Sequence, residues 1–111
     1  MTRTYLKFKD YLIEKLRNSE EAQAFLDAAI IEYENDGDIE ALMLSLRYIA
    51  EAQGGINYLS EKTNLNKQNL YKILTGKTTP RFDTMISIIK GLGYRLVPQN
   101  LIENSQHIQH G

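Results

Sequence analysis

Cysteine is absent from the 111 residues. Disulfides, thiolate nucleophiles and zinc–thiolate centres are therefore excluded. No apolar run approaches the roughly 20 residues that a membrane span needs, and the start Met1-Thr2-Arg3-Thr4-Tyr5 lacks the apolar core of a signal peptide. A cytoplasmic location with no membrane partner is expected. Histidine occurs only as His107 and His110, in a polar tail. A catalytic centre built on histidine would need the end of the chain that is hardest to hold in place, and neither residue is expected to hold a metal. No internal repeat and no low-complexity tract is present. Hydrophobic residues make up 42% and charged residues 24%, which argues against general disorder and fits one domain able to bury its own core.

The formal net charge of −1 hides a division. Up to Gly54, six bases (Arg3, Lys7, Lys9, Lys15, Arg17, Arg47) face eleven acids, a net of −5. From Gly55 onward, seven bases (Lys62, Lys67, Lys72, Lys77, Arg81, Lys90, Arg95) face three acids, a net of +4. Such asymmetry points to two surfaces with two partners, although small helical proteins also carry uneven charge for no such reason.

Apolar residues recur at three- and four-residue steps between sparse glycines, which predicts helices. Tyr5, Phe8, Leu12 and Leu16 form a first stripe. Asn18 or Ser19 can cap a second helix with Glu20 and Glu21 in its first turn, where negative charge is favourable. Its stripe is Ala22, Phe25 or Leu26, Ala29, Ile30 and Tyr33. Asn35-Asp36-Gly37-Asp38 reads as a turn, with Asp38 capping a third helix. That helix is apolar around much of its girth, which predicts a central position. Short helices follow over 56–62 and 67–74, joined by Thr63-Asn64-Leu65, where Asn64 tolerates the left-handed conformation a tight turn requires. Asn66 caps the second and Gly76 stops it. Asp83 is expected to cap a last helix, which Gly91 and Gly93 end. Tyr94-Arg95-Leu96-Val97 alternates and reads as one short strand, either at a dimer surface or as a cap over the chain's own core.

The segment from Ile56 to Leu74 has the anatomy of a helix-turn-helix. Leu59, Leu65, Leu70 and Ile73 would lock the two helices together, and Ser60 is small where they cross. The second helix then keeps a polar outer face of Lys67, Gln68, Asn69, Tyr71 and Lys72. Long donors and amides near a helix start suit base edges in a major groove. Between Lys62 and Arg95 seven bases meet one acid, Asp83, a charge balance that suits a phosphate-tracking stripe. An ordinary helix pair with a solvated charged face would share much of this pattern.

These residues, Leu59 to Pro80 with Leu70-Tyr71-Lys72-Ile73-Leu74-x-Gly76-Lys77 and the later Gly91-Leu92-Gly93, resemble the Cro/C1-type (Xre) helix-turn-helix family. Phe8-Lys9-Asp10-Tyr11-Leu12, Ser19-Glu20-Glu21, Phe25-Leu26-x-Ala28-Ala29, Gly37-Asp38 and Ile49-Ala50-Glu51-Ala52-Gln53-Gly54 extend the resemblance to its addiction-module antidote branch, similar to HigA-type antitoxins. It covers about residues 5 to 97. Ser60 stands where alanine is usual, Asn64 where glycine is, Thr63 where an apolar residue is, and Lys67 where arginine is common.

The resemblance implies an all-α fold of about six helices: a two-helix extension over 1–37, a Cro/C1-type bundle over 38–97, and a flexible tail over 98–111, all in one domain. It implies that Lys67, Gln68 and Lys72 reach bases of a double-stranded operator, with Tyr71 touching a thymine methyl or a phosphate. Lys62, Asn66, Asn69, Lys77, Thr78, Thr79 and Arg81 would hold phosphates. A homodimer would meet through Leu92, Tyr94 and Leu96, and a small basic toxin would be covered by Glu32, Glu34 and Asp36. The same acids are equally read as a solvated face that keeps this end off DNA. A stand-alone Xre-type repressor and a helical protein-binding adaptor are the rival functions. Glu32 and Asp36 fall at helical spacing, yet no histidine, nucleophile or pocket signal accompanies them. No enzyme, catalytic residue, cofactor or metal is expected.

Overall fold

The computed structural model describes residues 2–102, with side chains from residue 7 onward. Six helices follow one another: α1 (Thr2–Lys15), α2 (Ser19–Asp36), α3 (Ile39–Gln53), α4 (Gly55–Thr63), α5 (Lys67–Leu74) and α6 (Phe82–Gly91). His107, His110 and the rest of the tail beyond residue 102 lie outside the described residues, and no helix among those described is long and apolar enough to cross a membrane.

Local chemistry sets most of the boundaries. Asn18 Oδ1 accepts hydrogen bonds from the Glu20 and Glu21 amides at 2.9 and 3.0 Å, which starts α2. α2 continues through Asn35 and Asp36 to Gly37, so the expected turn is shorter by two residues. Asp38 caps α3 through the Ala41 amide, and Asn66 caps α5 through the Asn69 amide, each at 3.1 Å. Asn64 sits at φ 62 between α4 and α5, the left-handed geometry its short polar side chain tolerates. α5 ends in a Schellman motif: the Lys77 amide donates to the Lys72 carbonyl at 2.8 Å and the Gly76 amide to that of Ile73 at 3.1 Å. Gly76 has φ +81, which a side chain would strain.

The core follows from α3, which packs against α1, α2, α4 and α5. Its Met43, Leu46 and Ile49 are fully buried, alongside Leu59 of α4, Leu70 and Leu74 of α5 and Ile88 and Ile89 of α6. The expected central position of the third helix is therefore found. Gln53 Nε2, at the end of α3, donates to the Leu92 carbonyl at 2.8 Å and ties α3 to the end of α6. α6 packs on α4 at a very close approach: a Cβ on Gly91 would lie 2.6 Å from Thr63 Cγ2 and 3.0 Å from Leu59 Cδ1. Thr63 thus supplies a methyl to this contact, while its hydroxyl donates to the Leu59 carbonyl at 2.8 Å.

Three expectations are corrected. Phe8 is 60% exposed. α1 instead turns Lys9, Leu12 and Leu16 inward, with Lys9 Nζ 3.6 Å from Glu51 of α3. Asp83 does not cap α6. Arg81 holds the cap position without a side-chain bond, and Asp83 lies in the first turn, 3.3 Å from Arg81. No strand forms over 94–97 or anywhere else among the described residues. A strand needs a neighbour to pair with, and the described residues offer none; the Tyr94 amide bonds back to the Ile89 carbonyl in the cap of α6 instead.

Candidate nucleic-acid interface

α4 and α5 pack against each other across the turn formed by Asn64, Leu65 and Asn66. Ser60 Oγ donates to the Leu65 carbonyl at 2.6 Å, so the small residue at this crossing also fixes the turn. Leu65 is half-buried against the core and Leu59 is fully buried. α5 buries Leu70, Ile73 and Leu74 against α3 and α4. At 100° per residue, Gln68 and Lys72 stand opposite those three, with Lys67 and Tyr71 on one shoulder and Asn69 on the other. All five are exposed. A helix of eight residues is too short to hold itself in water, so the buried side and the Asn66 cap fix the direction in which this polar face points.

The flanking residues are placed less uniformly. Lys77, Thr78 and Thr79 are exposed and follow directly from the Schellman motif, so the loop leaves α5 in a fixed direction. Asn66 Oδ1 is committed to the cap. Lys62 Nζ lies 5.4 Å from the Tyr58 ring centre, a cation–π contact that draws it along α4. Arg81 is exposed and paired with Asp83, an arrangement in water that contributes little stability and is readily exchanged for another anion.

Arg47 is a residue that the charge pattern misassigned, because it falls in the acidic half of the chain. It lines a cavity of about 250 Å³ together with Ile56 and Tyr71, on the shoulder of the α5 face. Its Nε is 3.7 Å from Glu51, the same carboxylate that Lys9 approaches. One carboxylate thus serves two cations from two helices. The only available signal was the four-residue spacing between Arg47 and Glu51, which places the pair on one helix face without showing what lies beside it.

The other candidate surfaces are distinct. Glu32, Glu34 and Asp36 are all exposed near the end of α2. Helical spacing puts Glu34 in a row with Gln23, Asp27 and Ile30, whereas Glu32 points to the opposite side, so the three acids do not form one patch. Leu92 is 3% exposed and belongs to the chain's own core, so its side chain is not on a surface that a second copy could meet. Tyr94 is half-buried, and its hydroxyl donates to the Ser19 carbonyl at 3.0 Å, clasping the start of α2. Burial raises the Tyr94 pKa above the ordinary tyrosine value. Leu96 lies at the edge of an apolar groove of about 320 Å³ between α2, α3 and α6.

Fold and surface together define a small all-helical protein that presents side chains on the outer face of a braced helix, with no acidic or histidine cluster able to hold a metal ion among the described residues. The family described as "Probable addiction module antidote protein" matches residues 7–100, and the chain belongs to it. That membership assigns an antidote role and is not membership of an enzyme family. The chain is also similar to an uncharacterized protein of Haemophilus influenzae, 28% identical over 94 residues that span 84% of this chain and 92% of the relative. No solved structure matches it.

Proposed function

We propose that this antidote is a sequence-specific DNA-binding protein of the Cro/C1 type, which represses its own operon as a homodimer and neutralises a small basic toxin. The observation that carries the reading is the division of α5 into a buried side of Leu70, Ile73 and Leu74 and an exposed side of Gln68, Lys72, Lys67 and Tyr71. A polar helix face held in one direction can enter a major groove without being ordered on contact. Gln68 can pair bidentately with adenine, and Lys67 and Lys72 suit guanine acceptors or phosphate. Tyr71 stands beside them, able to touch a thymine methyl. Lys77, Thr78 and Thr79, with Asn66, Asn69, Lys62 and Arg81 on the flanks, supply salt-dependent, sequence-independent affinity through phosphates. Two copies would read a two-fold operator.

Toxin neutralisation is assigned to α2, whose Glu32 and Asp36 share one face and whose Glu34 stands on the other, in a stretch from Asn18 to Glu40 without lysine or arginine. Its charge is opposite to that of a nucleic-acid-directed protein, which makes attraction to a basic toxin the electrostatically favoured encounter. The deciding experiment for DNA binding is a gel shift of the fragment upstream of the gene, repeated across a salt series. A retarded species at low salt that weakens linearly in log[salt] is expected. No retardation of any upstream fragment at low salt would sink the reading.

A further inference from the structure

The groove between α2, α3 and α6 is floored by Leu26, Ile30, Leu42 and Met85, with Phe82 and Leu96 at its edge. Phe82 is 74% exposed. Just past Leu96 the chain carries three more exposed apolar side chains, Val97, Leu101 and Ile102, with Leu101 79% exposed. A monomeric protein rarely leaves a concave apolar surface and an apolar segment both facing water. We propose that the groove is where a second copy of this chain docks: residues 97–101 of each copy lie across the groove of the other, with Leu101 against Phe82. The proposal rests on the homodimer proposed above and names its surface.

Three observations favour a second copy over other occupants. The groove and the apolar segment adjoin in one molecule, so a two-fold arrangement covers both sets twice and closes without leaving an open end. The chain's own remaining segment, residues 103–111, contains only Ile108 as a large apolar residue and is otherwise Glu, Asn, Ser, Gln, His and Gly, a poor match to an apolar floor. Charge is also complementary across the groove. Asp27 stands on the α2 wall and Arg95 on the opposite wall, where the groove continues toward Val97, so a two-fold mate can set each Arg95 near the other copy's α2 acids.

The test exploits the lack of cysteine. Leu101→Asp and Phe82→Asp, both at exposed positions, are made in the full chain, and mass is measured by light scattering over a concentration series, with circular dichroism to establish that the helices persist. The wild type is expected to be dimeric, and each variant is expected to dissociate at least tenfold more readily. Phe82→Cys and Leu101→Cys proteins are then mixed and oxidised. A disulfide joining the two different variants supports the exchange. A Phe82→Cys/Leu101→Cys double variant that closes its disulfide within one chain shows that the segment fills its own groove and overturns the proposal. A wild type that is monomeric throughout overturns both this surface and the dimer reading. Aspartate variants that remain fully dimeric overturn this surface alone, and the dimer reading survives elsewhere on the molecule.

Discussion

α2 and α5 both display charge of a single sign, yet they are held in opposite ways. α5 has eight residues and buries three of them completely or nearly so. α2 has eighteen residues and buries only Ala22 and Leu26. α5 touches both α3 and α4, whereas α2 leans chiefly on α3; each helix is capped at both ends. A face that must match the fixed spacing of base edges needs the first kind of support. A face that attracts an oppositely charged protein does not, because long-range attraction tolerates variation in direction. The way each helix is anchored therefore agrees with the division of labour proposed from charge.

The comparison breaks most readily at the core. Leu70→Ala empties a fully enclosed position and is expected to cost about 2–5 kcal/mol in urea unfolding. Leu26→Ala opens onto the groove, where water or neighbours can move in, so its cost is expected to fall near or below the bottom of that range, about 2 kcal/mol. Equal losses would show α2 to be as firmly seated as α5. Gly91→Ala probes the brace behind α4. The substitution improves helix propensity by up to about 1 kcal/mol, but its methyl collides with Thr63 and Leu59, for a net loss of roughly 1–3 kcal/mol. Thr63→Ser, which removes the colliding methyl and keeps the hydroxyl, should recover part of it. A Gly91→Ala protein more stable than the wild type would mean that α4 and α6 part easily.

Binding sharpens the same contrast. Lys67→Ala or Gln68→Ala is expected to cost about 1–3 kcal/mol of specific affinity and to blur the preference at one base pair. Lys77→Ala should weaken all sequences alike and lower the salt slope by about one. Reversing Glu32, Glu34 and Asp36 should leave operator affinity intact in the same gel shifts; loss of binding there would merge the two surfaces into one. The smallest effect is expected at Tyr94, whose pKa is raised by burial. A raised value in the folded state favours folding below the ordinary tyrosine pKa of about 10, and that contribution disappears as pH climbs through the higher folded value. The stability difference between wild type and Tyr94→Phe should therefore shrink or reverse on going from pH 8 to pH 11; a constant difference would contradict the burial of the Tyr94 hydroxyl.

Features governed by nearest neighbours were legible in the sequence. Asn18, Asp38, Asn64 and Asn66 each act within three residues, and each does what its side chain predicts. The exposed face of α5 was legible as well, because Leu70, Ile73 and Leu74 fix its register. Features that depend on a distant partner were not. Phe8 is exposed while Lys9 sits near Glu51, a residue some forty positions away in sequence that local periodicity does not see. Asp83 carries a capping residue's chemistry, but the chain already turns at Arg81. The alternation over 94–97 is a strand signal with no strand beside it. Arg47 was hidden by a charge count that follows chain order rather than space.

α3 stands between the two charged regions and forms a wall of both. Cutting the chain at Gly37 would therefore not free two working modules. The amino-terminal piece would take α1 and α2 away from α3, the helix against which α4 and α5 also pack. Because α3 carries the packing of α1, α2, α4 and α5 alike, loss of the first two helices is expected to lower the unfolding midpoint of what remains, not to leave the last four helices as stable as before.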